Sequence, residues 1–309
     1  MPLTQKTMNQ ATNKPAISNY LTIDVEEHFQ VAAFEDIISP ASWEKYPSRV
    51  KNNTRLILDL LDKHRIKATF FIVGWTAERH PKLVKEIEAR GHQIGCHSYR
   101  HQKIYNLTPE EFRQDTAKAK DILEQIIGKA VKGYRAPSYS ITRKSLWAVK
   151  ILKELGFEYD SSVFPILHDN YGIPDAPRYP FIWNLSEDQP SYKNKQTNKP
   201  NNQQTNKPTS LKEYPISTAK LLGRNIPVAG GGYFRLFPYW FTEALLKKIN
   251  RQEKQPFIFY FHPWEVDPEQ PRIKNAKLLS KFRHYNNLNK TVARLERLLN
   301  NFTFTSIPK

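Results

Sequence analysis

Apolar positions along the chain follow two rhythms. The run "LTIDV" at 21–25 and the denser stretches "KATFFIVGW" at 67–75 and "PFIFYFHPWE" at 256–265 have the length and the β-branched or aromatic content of buried strands. Between them apolar residues recur at helical spacing in "SRVKNNTRLILDLLDKH" (48–64), "RHPKLVKEIEARG" (79–91) and "TRKSLWAVKILKELG" (142–156), the last two stopping at Gly91 and Gly156. Thr108, Pro109 and Glu110 predict the cap and first turn of another helix, running to about Gly128. "HQIGCH", "AVKGYRAPS" and "FEYDSS" supply the intervening strands and loops. Strand and helix therefore take turns, which implies parallel pairing and an α/β fold.

Several such units in sequence predict a sheet closed, or nearly closed, into a barrel, with an open doubly wound sheet as the alternative. Barrels of this kind commonly use about 250 residues as one unit, so the 309 residues are read as a single domain over 20–300. Residues 1–19 form a polar tail and 301–309 a carboxy-terminal end. Residues 186–212 break the rhythm, being almost free of apolar side chains and containing "QTNKP" twice; they read as a solvated low-complexity insertion. Beyond it "LKEYPIS", "IPVAGGGYFRLFP" and the helical "FTEALLKKIN" resume the pattern.

Composition narrows the function. A formal charge of +17 suits an anionic polymer or surface. No block of five or more Lys/Arg and no nucleic-acid motif occurs, so nucleic acid is not the expected partner. Cys96 is the only cysteine, which excludes an internal disulfide and fits a reducing compartment. With neither a secretory leader nor a run of ~20 apolar residues, the expected location is cytoplasmic, with peripheral association at the inner membrane as a further expectation. "GGGYFR" lacks the Lys-Ser/Thr ending of a phosphate loop and is read as a tight turn near the site.

Candidate chemistry starts at "HSYRH". Nine histidines in the chain make a chance pair at this spacing a real alternative. On a helical turn, however, spacing four brings His97 and His101 to one face, as a shared metal ion requires. A catalytic site of two histidines is commonly completed by a carboxylate, and "TIDVEEHF" offers three at the carboxyl end of the first strand, where parallel α/β folds place their sites. Period-two alternation sends Asp24 and Glu26 to one side and Glu27 to the other, so Glu26 is read as metal ligand and Asp24 as base. His262, ending the most apolar strand, is read as an acid aimed into a cleft, against the alternative of a satisfied core residue.

These residues together resemble the polysaccharide deacetylase superfamily of carbohydrate esterases. Its five motifs correspond, in order, to "TIDVEE", "HSYRH", "RAPSY", "YDSS" and "FYFH". The chain is similar in particular to a subgroup found beside exosortase and exopolysaccharide genes, through "YPSRVKNNT", "YRAPSYSITRKSLWA", "FPILHDNYGIPDAPR", "GGGYFRLFP" and "FYFHPWEVDPEQPR", over roughly 20–185 and 211–300. The family's first motif usually has two adjacent aspartates where this chain has Asp24-Val25-Glu26-Glu27, which makes Glu27 an alternative acidic ligand.

The resemblance implies a distorted, seven-stranded, TIM-like (β/α) barrel that removes acetyl groups from N-acetylated sugars. It implies one divalent ion held by Glu26, His97 and His101, zinc first, with cobalt, nickel or manganese as alternatives. Arg135 would orient the base Asp24, and Asp160 would orient and charge the acid His262. The Tyr139 N–H would face the oxyanion, and the rings of Tyr139 and Trp264 would stack on sugars. The implied partner is an N-acetylated glycan of exopolysaccharide or cell-wall type, met in association with the membrane or the exopolysaccharide synthesis machinery. Hydrolysis of another non-peptide C–N bond, and glycan binding without turnover, are the alternative functions.

Overall fold

Apolar runs covered on both faces lose the alternation of half-exposed strands and become continuous, and the chain's strand-like runs fold accordingly. A computed structural model describes residues 17–187, 189–192 and 210–308. Its strands are β1 (Ser18–Val25), β2 (Thr69–Ile72), β3 (Gln93–Cys96), β4 (Gly133–Tyr134), β5 (Tyr159–Asp160), β6 (Phe181–Asn184), β7 (Ser210–Glu213), β8 (Thr218–Leu221), β9 (Arg224–Pro227), β10 (Ile258–Phe261) and β11 (Thr303–Thr305). The main sheet has the order β10-β1-β2-β3-β4-β5-β7-β6, with β11 also on β1. All of its pairings are parallel except β6 with β7. The path from β10 to β7 thus holds seven parallel strands.

The sheet curls around a core of its own. Phe71, Tyr159, Tyr214, Ile258 and Tyr260 point inward, while Phe70, Ile72, Phe259 and Phe261, their neighbours in sequence, pack outward against the helices. Among the described residues no ladder joins β6 or β7 to β10. The gap is spanned by the segment after β7, where Ser217 Oγ accepts from the Ile258 N–H at 2.8 Å and Gly230 pairs with Tyr260. That pairing demands glycine: Gly230 has φ +131°, and a Cβ there would lie 1.9 Å from the Tyr260 carbonyl oxygen. The fold is the distorted barrel the sequence pattern predicts, and not the open doubly wound sheet.

Local signals held where the chemistry was local. Thr108 and Glu111 close a capping box on the helix Pro109–Ile127, and Gly128 ends it in the left-handed conformation. "GGGYFR", expected to be a tight turn, instead opens the short helix Gly231–Leu236. Ser18 and Asn19 belong to β1 and Ser210–Glu213 to β7, so strand structure reaches into both the tail read at 1–19 and the insertion read at 186–212. Residues 1–16, 188 and 193–209 of those two segments lie outside the described residues. Thr303–Thr305, in the segment read as a carboxy-terminal end, extends the sheet along β1. Among the described residues no helix is long and apolar enough to cross a membrane.

Parallel register decides what meets at the rim. Ile23 is level with Phe261, Ile72 with Cys96, Cys96 with Tyr134 and Tyr134 with Asp160. The residues just beyond these positions, Asp24, His97, Arg135, Ser161 and His262, therefore emerge together at the carboxyl ends of the strands.

Candidate metal and hydrolytic centre

Glu26, His97 and His101 are all buried, and one ligand atom from each lies within 4.8 Å of the others. The pair "HSYRH" does not achieve this on a helix. Residues 97–101 form a loop in which Ser98 (φ 59°) and His101 (φ 52°) take the left-handed conformation, and the turn folds the two rings to 5.0 Å between centroids. Asp115 secures the loop by accepting from the N–H groups of Tyr99 (2.7 Å) and Arg100 (3.0 Å).

The donor chemistry fits a divalent ion. His97 Nδ1 lies 2.7 Å from the Arg135 carbonyl oxygen, which can only accept, so Nδ1 carries the proton and the Nε2 lone pair is left for a metal. Burial lowers the His97 pKa to about 4, which keeps the ring neutral. Glu26 Oε2 lies 2.6 Å from His101 Nε2, yet it is a buried oxygen without a hydrogen bond of proper geometry, as is His101 Nδ1 without a partner. Burial opposes ionisation of Glu26, but the imidazoles of His101, His262 and His97 outweigh it and hold the carboxyl well below its usual range. Glu27, the alternative ligand, points elsewhere. Its carboxylate accepts from the N–H groups of Arg49 (3.0 Å) and Val50 (3.2 Å) and from the Ser48 hydroxyl, capping the helix Val50–Lys63.

Asp24 and His262 face the same space. Arg135, fully buried, donates to Asp24 Oδ1 at 2.7 Å and Thr22 Oγ1 at 2.8 Å, and to the hydroxyl and carbonyl of Ser161 at 2.8 and 3.0 Å. His262 Nε2 stands 3.9 Å from Asp24 Oδ2 and 3.7 Å from Glu26 Oε1. Burial works against a charged His262 ring, but Glu26, Glu265 and Asp24 prevail and push its pKa up to about 9.

Three expected roles fall elsewhere. Asp160 does not hold His262. Its Oδ1 takes the Ser162 hydroxyl at 2.5 Å instead of an imidazole, and burial, then the charge of neighbouring Glu213, raise its pKa well above the carboxylate range, against the ionised form that charging an imidazole needs. The Tyr139 N–H is committed to the Ala136 carbonyl at 3.1 Å within a tight turn, and its buried ring meets Tyr260 edge-on at 5.0 Å. Trp264 is no sugar platform either, since only 6% of it is exposed. Its ring is sandwiched between His262 (5.0 Å) and His284 (4.1 Å), and its Nε1–H donates to Glu26 Oε1 at 3.0 Å.

Sequence reasoning missed Thr22, Ser161, Glu265 and Arg235, which surround these groups. Only Glu265 carried a local signal, its three-residue spacing from His262 across Pro263, which is that of a capping box. Since Trp264 aims the carboxylate of Glu26, Trp264→Phe is expected to weaken zinc binding about 10- to 100-fold while the chain stays folded. Calorimetric zinc titration alongside circular dichroism checks this, and unchanged affinity would refute the role.

Residues 32–159 match the family described as Polysaccharide deacetylase, and residues 161–309 match the Domain of unknown function DUF3473. A peptidoglycan-N-acetylglucosamine deacetylase of Bacillus cereus is 40% identical over 98 residues, which are 31% of this chain and 36% of that protein. A chitooligosaccharide deacetylase of Azorhizobium caulinodans is 30% identical over 100 residues, 32% of this chain and 45% of that protein. The chain thus spans less than half the length of either relative. A crystal structure from Mycobacterium smegmatis assigned to the polysaccharide deacetylases aligns over 94% of this chain and 93% of that one, with TM-score 0.52 and 18% identity, a likeness of fold. The histidine pair and Arg135 fall within the first matched segment and His262 and Trp264 within the second, and the barrel that unites them has the fold of that crystal structure: the chain is similar to the polysaccharide deacetylase family over residues 32–159 and to DUF3473 over residues 161–309.

Proposed function

We propose that the protein is a metal-dependent hydrolase that removes N-acetyl groups from sugars of a glycan. The observation that carries this reading is the convergence of two independent sets, the Glu26/His97/His101 trio and the Asp24/His262 pair, with His262 Nε2 under 4 Å from a carboxylate of each. Binding alone would need neither a buried, Arg-anchored aspartate nor an imidazole facing it.

A divalent cation held by the trio, zinc before cobalt, nickel or manganese, supplies Lewis acidity to water and to the acetamide carbonyl. Asp24 takes the proton of the water whose oxygen bonds to the carbonyl carbon. Arg135 keeps that carboxylate aimed and ionised through its 2.7 Å contact. His262 delivers a proton from Nε2 to the sugar nitrogen as the C–N bond breaks, leaving acetate and a free amino sugar. The relatives named for peptidoglycan and chitooligosaccharides support an N-acetylglucosamine-type unit, the sequence resemblance supports an exopolysaccharide, and the excess of basic residues favours an anionic polymer or surface.

Acetate release from chitooligosaccharides and peptidoglycan fragments tests the proposal. The zinc-loaded protein is expected to release acetate, chelation to stop it and zinc to restore it. Zinc binding without acetate release from any N-acetylated sugar, but with turnover of small amides, would move the reading to another C–N bond.

A further inference from the structure

The acid of the proposed reaction is gripped by a residue pair with no role assigned so far. Glu265 Oε1 lies 2.6 Å from His262 Nδ1 and accepts from the His262 N–H at 3.1 Å. Its other oxygen accepts from Arg235 Nε at 2.6 Å. Arg235 in turn donates to the carbonyls of His284 (2.8 Å), Asn286 (2.9 Å) and Arg283 (3.0 Å), at the carboxyl end of the helix Leu278–Tyr285, whose dipole favours a cation. Both side chains are buried, Glu265 at 0% and Arg235 at 1% exposure.

A buried ion pair is a poor way to gain stability, because desolvation offsets most of its attraction and an apolar pair of similar volume often does as well. What this pair does provide is direction. Ionised Glu265 can only accept, so Nδ1 of His262 carries a proton that fixes the ring, and Nε2 is turned toward Asp24 and Glu26. Arg235 occupies the second carboxylate oxygen, so Glu265 cannot rotate away. The turn Pro263–Val266 sets the spacing, with Pro263 fixing the backbone between the imidazole and its partner.

We infer that Glu265, locked by Arg235, is the residue that positions His262 as the proton donor, the role Asp160 does not fill; the inference rests on the deacetylase reading for what the ring does, not for how it is held. Because the donor matters only when the leaving group needs a proton, the substrate reports on it. An amino sugar leaving from an acetamide needs one, whereas a nitrophenolate leaving from an aryl acetate does not.

The experiment uses the full-length zinc-loaded protein labelled with ¹⁵N-histidine, with the His262→Asn spectrum assigning the resonance. A slowly exchanging Nδ1–H signal of His262 is expected in the parent protein and its loss in Glu265→Gln. In the same variant, turnover of acetylated chitooligosaccharide is expected to fall about 100-fold with KM within about twofold, against a loss of only about threefold on 4-nitrophenyl acetate. Glu265→Asp should restore part of the glycan activity. Should Glu265→Gln fold poorly with Arg235 left unpaired, the double variant Glu265→Gln/Arg235→Met removes both charges and answers the same question. An unchanged Nδ1–H signal, or equal losses on amide and ester, would overturn the inference. A parent protein that releases no acetate from glycans, but whose Nδ1–H signal still depends on Glu265, would refute the deacetylase reading and leave the positioning role intact.

Discussion

His97→Ala is expected to leave the protein folded, without bound zinc, and slower in acetate release by about three orders of magnitude or more. Three protein ligands are the usual minimum for catalytic zinc, and removal of this one leaves only Glu26 and His101. His97 is also the best prepared of the three, since the Arg135 carbonyl fixes its tautomer at 2.7 Å and burial keeps it neutral. The variant further leaves that carbonyl without its imidazole partner, so a modest loss of stability should accompany the loss of metal. Elemental analysis after dialysis, with an acetate assay on the same sample, checks both parts. A variant that still retains one equivalent of zinc would show that the trio is not the metal site.

Asp24→Asn should separate the two halves of the site. The metal trio does not include this carboxylate, so zinc content is expected to be unchanged, while turnover falls about 10²- to 10⁴-fold for want of a base. The substitution also leaves Arg135, fully buried, without a counter-charge, and breaking a buried pair costs about 3 kcal/mol or more. Denaturant unfolding should record that cost in a chain that still folds and still binds zinc. Acetate release near the parent rate would remove Asp24 from the mechanism.

The contrast between these two variants shows how far each residue's role was readable along the chain. Asp24, Glu26 and His262 stood out by residue type at strand ends and His97 and His101 by their spacing, whereas Arg135 was named only through the family resemblance. Period-two alternation also separated Glu26 from Glu27, which the fold places on the helix Val50–Lys63 instead of the trio. The helix argument named two histidines that the fold does bring together, but by another geometry, because left-handed Ser98 and His101 are stabilised by Ser98 Oγ and by Asp115, fourteen residues further along. Asp160 and Trp264 failed for a shared reason. Each has the right residue type near the right strand end, but Asp160 is bonded to the Ser162 hydroxyl instead of an imidazole, and Trp264 is enclosed by His262 and His284.

Taken alone, the sequence determined the alternation of strands and helices, the parallel sheet that follows from it, and the candidate groups for metal binding and proton transfer, because these depend on periodicity and on side-chain chemistry that each residue carries with it. Only the tertiary structure decided which carboxylate holds which imidazole, that Arg135 spans from Thr22 to Ser161, and that Arg235 and Glu265 stand behind His262. Those choices depend on strand register and on burial, which set distance and charge state together, and neither is a property of any stretch of chain read by itself.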